Sequence, residues 1–376
     1  MHAAEIEAPS FLDLTARQWR FDAAVTACAF DAGEKRVAFA LADGRLAVTP
    51  AADAEPAAAR RRTAADSGRV TISPRRRPVP PLAPFAVDDG PLDLAAAGPD
   101  GFLAGGAAGS LVRITGAGLH GALATPLAGP VEAMTAIAGG DVLVAAAGLV
   151  VRCDGRSGMV RTILHYDGRA AALAVSPAAA RLATATDAGL VVTVLDGTED
   201  AAPAADRLLG DVAALAFAPD GRRLAAGLAA GGVALIDAGG PRLAVTARLG
   251  NYPAPVRSLA WSRDGRRLAT GGAFRTIVWD VGAAEGTPVH AIETGQPRFL
   301  VTGRVALHPH RPLVAAGLEN GAIVVAEIGR RDEFLLKAPG DGAVLALAWS
   351  SDGSTLAFGT EGGLAAVVGL PQHLFK

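Results

Sequence analysis

Short apolar runs separated by tight polar turns recur along the whole chain. In the clearest copy, Val256–Asp280, an apolar run meets the turn Arg263-Asp264-Gly265, a second run follows, and a small-residue turn leads to a third. Asp and Gly accept the backbone angles of tight hairpins, which branched residues resist. The pattern therefore predicts three consecutive antiparallel strands in each copy.

Eight copies of this pattern can be aligned. They begin near Val25, Pro91, Val131, Ala170, Val212, Val256, Thr302 and Val344. Successive copies start about 40 to 47 residues apart, except for a first gap of about 66 residues, which holds an insertion. A fourth strand fits in the variable stretches between copies, for example Arg242–Leu249, Val289–Thr294 and Phe334–Lys337. This spacing is typical of the four-stranded blades of a β-propeller.

The Ala- and Leu-rich runs do not predict helices, because Gly or Pro interrupts them before they reach the roughly ten residues that a helix needs. Their lack of strict alternation indicates strands that are covered on both faces. We expect an all-β, closed propeller of eight four-stranded blades, with residues 1–376 forming one domain. If one weak copy forms no blade, the number falls to seven.

The last copy ends shortly before Lys376, which leaves the eighth blade without an outer strand. We expect the N-terminal segment Arg17–Phe21 to supply that strand by pairing with Leu364–Gly369. Such a closure removes the exposed sheet edges that invite aggregation.

The copies resemble the repeats of the WD-repeat (WD40) propeller family. Trp279-Asp280 lies where the family's Trp-Asp pair ends the third strand, and Asp237 and Asp196 match its acid. The resemblance covers nearly the whole chain. It implies a non-catalytic scaffold that binds other proteins through one rim of the propeller.

The chain also departs from the family pattern. The Gly-His that precedes the first strand is missing from every copy. The Asp of the second hairpin turn appears clearly only as Asp43, with Asn320 and Glu361 as polar substitutes. We therefore expect packing, rather than the family's side-chain network, to stabilise the blades.

Composition narrows the classes of partner. The 35 Lys and Arg against 37 Asp and Glu leave a net charge of −2, so no overall field draws the chain to nucleic acid or anionic lipid. Cys28 and Cys153 are too few for a disulfide scaffold and are read as buried thiols in a reducing compartment. No stretch has the pattern of a signal peptide, and Val131–Val151, the most apolar segment, contains Glu132 and Asp141. We expect a cytoplasmic monomer without membrane contact.

Few polar groups are expected at the mouth of the central channel. The aligned positions there are Thr26, Leu92, Glu132, Ala171, Ala213, Arg257, Gly303 and Leu345. One acid and one base form neither a metal cage nor an acid–base pair. His308 and His310 fall at a turn with no Cys or carboxylate at ligand spacing, so we interpret them as turn residues. We predict no catalytic residue, metal or cofactor, with a propeller enzyme or small-ligand sensor at the channel mouth as the alternative.

The insertion, residues 51–84, is the one strongly charged and Pro-rich stretch. We expect a solvated, mobile loop that is dispensable for folding, in which Arg69–Ser73 is a candidate outer strand for blade one. The alternative is a basic arm that contacts an acidic protein or a phosphate backbone, which makes nucleic acid a less favoured partner. Arg75–Pro81 also fits a polyproline ligand. The arm would consist of Arg60, Arg61, Arg62, Arg75, Arg76 and Arg77.

A second group of residues has the composition of a protein interface. The group comprises Tyr252, Arg257, Phe274, Arg275, Arg298 and Phe299. They come from the loops that lead into blades six and seven and from the second hairpin turn of blade six, which share one rim of a propeller. Aromatic residues and Arg dominate interface energetics, so one or more partner proteins are expected here. The alternative is that Phe274 and Phe299 cap the core.

Overall fold

The structure is a computed structural model that describes residues 9–67, 70–115, 120–122, 127–137, 139–176, 181–195, 204–206, 211–250, 252–282 and 288–371. Within these residues the chain forms eight four-stranded antiparallel sheets and one small separate hairpin. Seven sheets follow chain order from the innermost to the outer strand, and the eighth takes its outer strand from the N-terminus. The all-β propeller is confirmed, with eight blades rather than seven.

The blades are numbered one to eight in chain order, and each has four strands. In that order, the innermost strands are Val25–Phe30, Leu92–Ala97, Val131–Ala136, Ala170–Ser176, Val212–Phe217, Leu259–Trp261, Thr302–Leu307 and Val344–Trp349. The second strands are Arg36–Leu41, Gly101–Gly106, Val142–Ala146, Arg181–Thr186, Arg223–Leu228, Arg267–Thr270, Leu313–Leu318 and Thr355–Thr360. The third strands are Arg45–Pro50, Leu111–Ile114, Leu149–Cys153, Gly189–Val194, Val233–Asp237, Thr276–Asp280, Ile323–Glu327 and Leu364–Gly369. The outer strands are Phe85–Ala86, His120–Ala122, Val160–His165, Ala204–Asp206, Ala244–Leu249, His290–Thr294, Glu333–Lys337 and Ala16–Arg20.

The N-terminal segment closes the ring as expected. Strand Ala16–Arg20 pairs antiparallel with the third strand of blade eight, with Ala16 opposite Val368 and Arg20 opposite Leu364. A short helix, Phe11–Thr15, precedes it and begins with a capping box between Ser10 and Asp13. Buried side chains of this segment join the clusters on both sides of blade eight, which ties the chain's two ends together.

The core is a ring of apolar clusters, with one cluster between each pair of neighbouring blades. Glycines on second strands let the next blade approach closely. At Gly359, a Cβ atom would lie 2.3 Å from Cγ1 of Val25 in the neighbouring blade, and at Gly317 it would lie 2.5 Å from Cγ1 of Val344. At these two positions any larger residue would force the neighbouring blades apart, so glycine allows the sheets to pack closely.

Hydrogen bonds also cross between blades. The indole N–H groups of Trp261 and Trp349 donate to the carbonyl oxygens of Ala216 and Ala306 in the preceding blades, at 2.9 and 3.1 Å. Both tryptophans end innermost strands. They add directed contacts to a ring that is otherwise stabilised by packing.

The insertion of blade one differs from the expected solvated, mobile loop. It contains a 3-10 helix, Ala57–Arg60, and a hairpin in which Arg61–Thr63 pairs with Val70–Ile72. The outer strand of blade one is therefore Phe85–Ala86 and not Arg69–Ser73. Arg69 itself lies outside the described residues.

Two arginines hold the insertion against the body of the propeller. Arg75 forms a largely buried two-oxygen ion pair with Asp53 inside the insertion, at 2.5 and 2.8 Å, and it also donates to the carbonyl oxygen of Ala16 on the closing strand at 3.3 Å. Arg60 donates to the carbonyl oxygens of Ser73 and Leu14. A charged segment can dock in this way because its guanidinium groups find carboxylate and carbonyl partners, which composition alone does not show.

The insertion also covers the closing strand. The indole N–H of Trp19 donates to the carbonyl oxygen of Pro80 at 2.9 Å, and Val79 and Leu82 pack against the cluster that contains Trp19. Arg17 donates to the carbonyl oxygens of Pro50 and Ala51, at 2.6 and 2.8 Å. The insertion and the N-terminal strand thus form one unit of structure at the closure of the ring.

Candidate functional site

The two phenylalanines of the predicted interface lie on adjacent loops. The backbone N–H of Arg298 donates to the carbonyl oxygen of Phe274 at 3.3 Å, and that of Thr302 donates to Ala273 at 2.9 Å. These bonds join the second hairpin turn of blade six to the loop that leads into blade seven. The Phe299 side chain is 95% exposed and that of Phe274 is 45% exposed. Neither residue is buried as a core cap would be.

The arginines of this group have different roles. Arg298 forms an ion pair with Glu333, whose carboxylate also accepts from the backbone N–H of Gln296 at 3.1 Å, so Arg298 orders its loop. Arg275 forms an ion pair with Glu293. Arg257 is exposed, and no described residue forms a hydrogen bond or ion pair with its guanidinium. Of the three, Arg257 has its guanidinium available to a ligand.

We call Arg257, Phe274 and Phe299, with the flanking ion pairs of Arg275 and Arg298, the aromatic rim, because the loops that carry them lie at the same end of the propeller. It combines two exposed rings with one unpaired positive charge. Such a surface can bind an apolar side chain that lies beside a carboxylate.

Tyr252 lies beneath this surface and offers it no contact area. The side chain is buried, and its hydroxyl accepts from Nε1 of Trp279 at 2.7 Å and lies 2.6 Å from Oγ1 of Thr270. Burial raises the pKa of the Tyr252 phenol, which keeps it protonated. Tyr252 therefore links the second and third strands of blade six, in place of the side-chain network that the missing Gly-His and turn Asp would form.

Tyr166, the other tyrosine of the chain, occupies a position that corresponds to that of Tyr252. The chain has two tyrosines, and each lies between an outer strand and the next blade, four residues before the start of a repeat copy at Ala170 or Val256. The Tyr166 hydroxyl donates to Glu132 at 2.7 Å, and Glu132 also accepts from the backbone N–H of Ala170 at 2.6 Å. The repeated position of the two tyrosines could have indicated an internal role for Tyr252.

We expect Tyr252→Phe to lower the free energy of unfolding by about 1–3 kcal/mol, because it leaves the partly buried Trp279 N–H and the buried Thr270 hydroxyl without their partner. Denaturant unfolding monitored by tryptophan fluorescence measures the change. Phe299→Ala, at an exposed position of the same rim, is the control and should change stability by no more than about 0.5 kcal/mol. Equal unfolding midpoints for Tyr252→Phe and the native chain would contradict this role.

Two polar residues on innermost strands, Glu132 and Arg304, are engaged in structure. Glu132 is bound by Tyr166 and Ala170, and Arg304 on the innermost strand of blade seven donates to the carbonyl oxygen of Leu345 at 2.6 Å. Asp93, in blade two, has a pKa raised to about 6 by burial. Within the described ranges, no three His, Cys, Asp or Glu residues are grouped so that they could hold a metal ion.

The two histidines act as turn residues in the structure. Nε2 of His308 donates to the carbonyl oxygen of Gly353 at 3.1 Å, and its Nδ1 accepts from the backbone N–H groups of His310 and Arg311, each at 3.1 Å. Nε2 of His310 donates to the carbonyl oxygen of Ser351 at 2.8 Å. Both side chains therefore tie the first hairpin turn of blade seven to that of blade eight.

The predicted basic arm is only partly exposed. Arg60 and Arg75 donate to the carbonyl oxygens of Leu14 and Ala16 in the N-terminal segment, whereas Arg61, Arg62, Arg76 and Arg77 have exposed side chains. The insertion follows a third strand, whereas the loops of the aromatic rim follow second and outer strands. Because neighbouring strands run antiparallel, the arm and the aromatic rim lie at opposite ends of the propeller.

No helix in the part of the chain that the structure describes has the length and apolar character needed to span a membrane.

Acids at the end of third strands have a shared local role. Asp237 and Asp280 each accept from the backbone N–H two residues further on, in Gly239 and Gly282, at 2.9 Å. Arg222 also forms a two-oxygen ion pair with Asp237, which lowers the pKa of that carboxyl to about 2. Asp196, the third acid that matches the family pattern, lies outside the described residues.

Comparisons with known proteins agree with this geometry. Residues 245–280, which end on Trp279-Asp280, match the family model described as WD domain, G-beta repeat. A chain from a crystal structure of a mitotic checkpoint complex is similar with a TM-score of 0.58 and 19% identity, over 74% of this chain and 86% of that chain. The computationally designed Ika8 protein is similar with a TM-score of 0.66 and 18% identity, over 93% of this chain and 98% of that chain.

No curated protein sequence matches the chain significantly. At these identities the structural similarities establish the fold alone. The matched repeat lies in the blade that carries most of the aromatic rim. The chain is therefore an eight-bladed β-propeller in which residues 245–280 match a WD40 repeat.

Proposed function

We propose that this chain is a non-catalytic scaffold that binds a partner protein through the aromatic rim. The observation that carries the proposal is Phe299, whose large apolar side chain is almost fully exposed at the tip of an ordered loop. Exposed aromatic groups beside Arg are the residues around which protein interfaces are built. WD40 propellers typically serve as protein-interaction scaffolds, which agrees with this use.

The rim also suggests the chemistry of the partner. Phe274 and Phe299 can cover an apolar anchor, and the unpaired Arg257 can bind a carboxylate. The neighbouring Arg275 and Arg298 are neutralised by their own acids. We expect the partner to present an apolar side chain close to an acidic residue on one exposed segment.

A second candidate function rests on the exposed Arg61, Arg62, Arg76 and Arg77 of the insertion. These residues could contact an acidic protein or a phosphate backbone. The net charge of −2 favours a local contact over general binding of nucleic acid.

We also propose a cytoplasmic location and a monomeric state. Cys28 and Cys153 are free thiols, and burial raises their pKa values to about 12 and about 11, so neither is poised for disulfide exchange. Such thiols suit a reducing compartment.

A photo-crosslinking residue placed at position 299 of the full chain tests the proposal. We expect it to capture a protein from extracts of the source cells, and the same residue at position 62, at the other end of the propeller, to leave that protein uncaptured. Competition by the unlabelled native chain should abolish the crosslink, whereas competition by Phe299→Ala should not. Capture from position 62 alone would place the interface on the insertion and would refute the aromatic rim.

A further inference from the structure

A concave site lies at the end of the propeller opposite the aromatic rim. The first hairpin turns of blades six and seven line an open cavity of about 250 Å³. Strand Arg267–Thr270 runs between the two sites, since Arg267 lines the cavity and Thr270 precedes the turn that carries Phe274. We propose that this cavity, which we call the arginine cavity, binds a phosphoryl group or a similar small oxyanion.

The charge of the lining supports an anionic ligand. Arg263, Arg267 and Arg311 contribute three guanidinium groups, against the single carboxylate of Asp264. That carboxylate is already engaged, because it accepts from the Ser262 hydroxyl at 2.6 Å and from the backbone N–H of Arg266 at 3.0 Å. The lining therefore carries more guanidinium groups than carboxylates. Planar guanidinium groups bind phosphoryl oxygens in pairs, which gives such a ligand both energy and orientation.

The guanidinium of Arg267 has no hydrogen-bond partner among the described residues, although its side chain is half-buried. The corresponding arginine of blade five, Arg223, donates instead to the carbonyl oxygen of Gly282 at 2.9 Å and forms an ion pair with Asp220. Blade six thus keeps a cation available at a position where blade five uses it for structure. A ligand oxyanion would supply the missing acceptor.

His310 positions a second cation of the cavity. Its Nε2 must donate to the Ser351 carbonyl, which cannot itself donate, so in the neutral ring Nδ1 is an acceptor. Nη1 of Arg263 lies 3.5 Å from this Nδ1. His310 therefore orients the Arg263 guanidinium without neutralising its charge. His308 binds the carbonyl oxygen of Gly353, which fixes the first hairpin turn of blade seven to blade eight.

The size of the cavity limits the ligand. Pockets for drug-sized molecules have volumes of about 300–1,000 Å³, so a cavity of about 250 Å³ suits one small group. A phosphoryl group meets this limit, and it can come either from a free phosphate ester or from a phosphorylated side chain of a protein. A nucleotide would extend beyond the lining.

Titration of the intact chain monitored by ³¹P NMR tests the proposal. Inorganic phosphate and O-phosphoserine should each give saturable broadening, and unphosphorylated serine should not compete. We expect the double variant Arg263→Ala, Arg267→Ala to bind at least about tenfold more weakly. Arg266→Ala is the control, because it removes one positive charge from the same turn as Arg263 but does not line the cavity. It should retain affinity within about twofold.

Two further variants make the outcome decisive. Arg263→Gln removes one exposed charge at a turn, and its affinity for phosphate tests the proposal if the double variant folds poorly. Phe299→Ala should leave phosphate binding unchanged, which separates this site from the aromatic rim. Absence of saturable binding by the native chain, or an equal loss with Arg266→Ala, would overturn the proposal. Affinity for a phosphoserine peptide more than tenfold above that for inorganic phosphate would identify a phosphorylated protein as the source, and equal affinities would identify a free phosphate ester.

Discussion

Deletion of residues 1–22 is expected to lower the melting temperature by about 10 °C or more and to cause aggregation. The deletion removes the outer strand of blade eight, so the third strand Leu364–Gly369 becomes an open sheet edge. It also removes Trp19, which is buried between blades one and eight. Truncation of a buried tryptophan alone costs about 3–5 kcal/mol.

The insertion adds to this effect. Arg17 donates hydrogen bonds to the carbonyl oxygens of Pro50 and Ala51, and Trp19 donates to that of Pro80. Loss of the strand therefore also removes the contacts that fix both ends of the insertion. Differential scanning calorimetry of the full and shortened chains measures the change, and light scattering measures aggregation. Carbonyl groups that lose buried donors add a further destabilising contribution.

A point variant of the closing strand provides the control. The Arg20 side chain is 63% exposed, and it forms an ion pair with Asp341. Exposed pairs of this kind contribute at most about 1 kcal/mol, so Arg20→Ala should melt within a few degrees of the native chain. A shortened chain that melts like the full-length chain would refute closure by the N-terminal strand.

The double variant Arg257→Ala, Phe299→Ala is expected to weaken binding of the partner protein by more than about tenfold. Phe299 offers the largest exposed apolar side chain of the rim, and Arg257 its unpaired guanidinium. Truncation of an aromatic anchor beside Arg typically costs about 2 kcal/mol or more at an interface. Surface plasmon resonance with the captured partner measures the change in affinity.

The fold should survive these substitutions, since both side chains lie on loops and are exposed. The matched control is Arg62→Ala with Val70→Ala, which removes one exposed cation and one exposed apolar side chain at the other end of the propeller. It should leave the affinity unchanged. If the control weakens binding and the rim variant does not, the partner binds the insertion.

The two tyrosines illustrate where sequence reasoning reaches its limit. Tyr252 has the residue type of an interface hot spot, but its hydroxyl is bound inside blade six by Trp279 and Thr270. Residue type describes what a side chain can do, whereas burial depends on which neighbours the fold brings to it. Phe299 lies on the next loop of the same rim and remains exposed.

The insertion illustrates the same limit. Its Arg and Pro content is typical of a solvated loop. Its docking depends on Leu14 and Ala16 of the N-terminal segment, whose carbonyl oxygens approach Arg60 and Arg75 only when the ring is closed. Composition carries no information about partners that are distant in sequence or belong to another element.

The sequence by itself determined the period, the strands, their hairpin turns and the closure by the N-terminal strand. The period, the strands and the turns depend on local turn chemistry and on apolar runs that recur in the copies, and the closure follows from the missing outer strand of the last copy. Only the tertiary structure decided which polar and aromatic side chains remain exposed or unpaired and can therefore bind a partner or a ligand. The arginine cavity is formed by the turns of two blades, and it owes its shape to histidines that bind a third. Such a site exists only after the blades have packed, because the free energy of each contact depends on groups that are far apart along the chain.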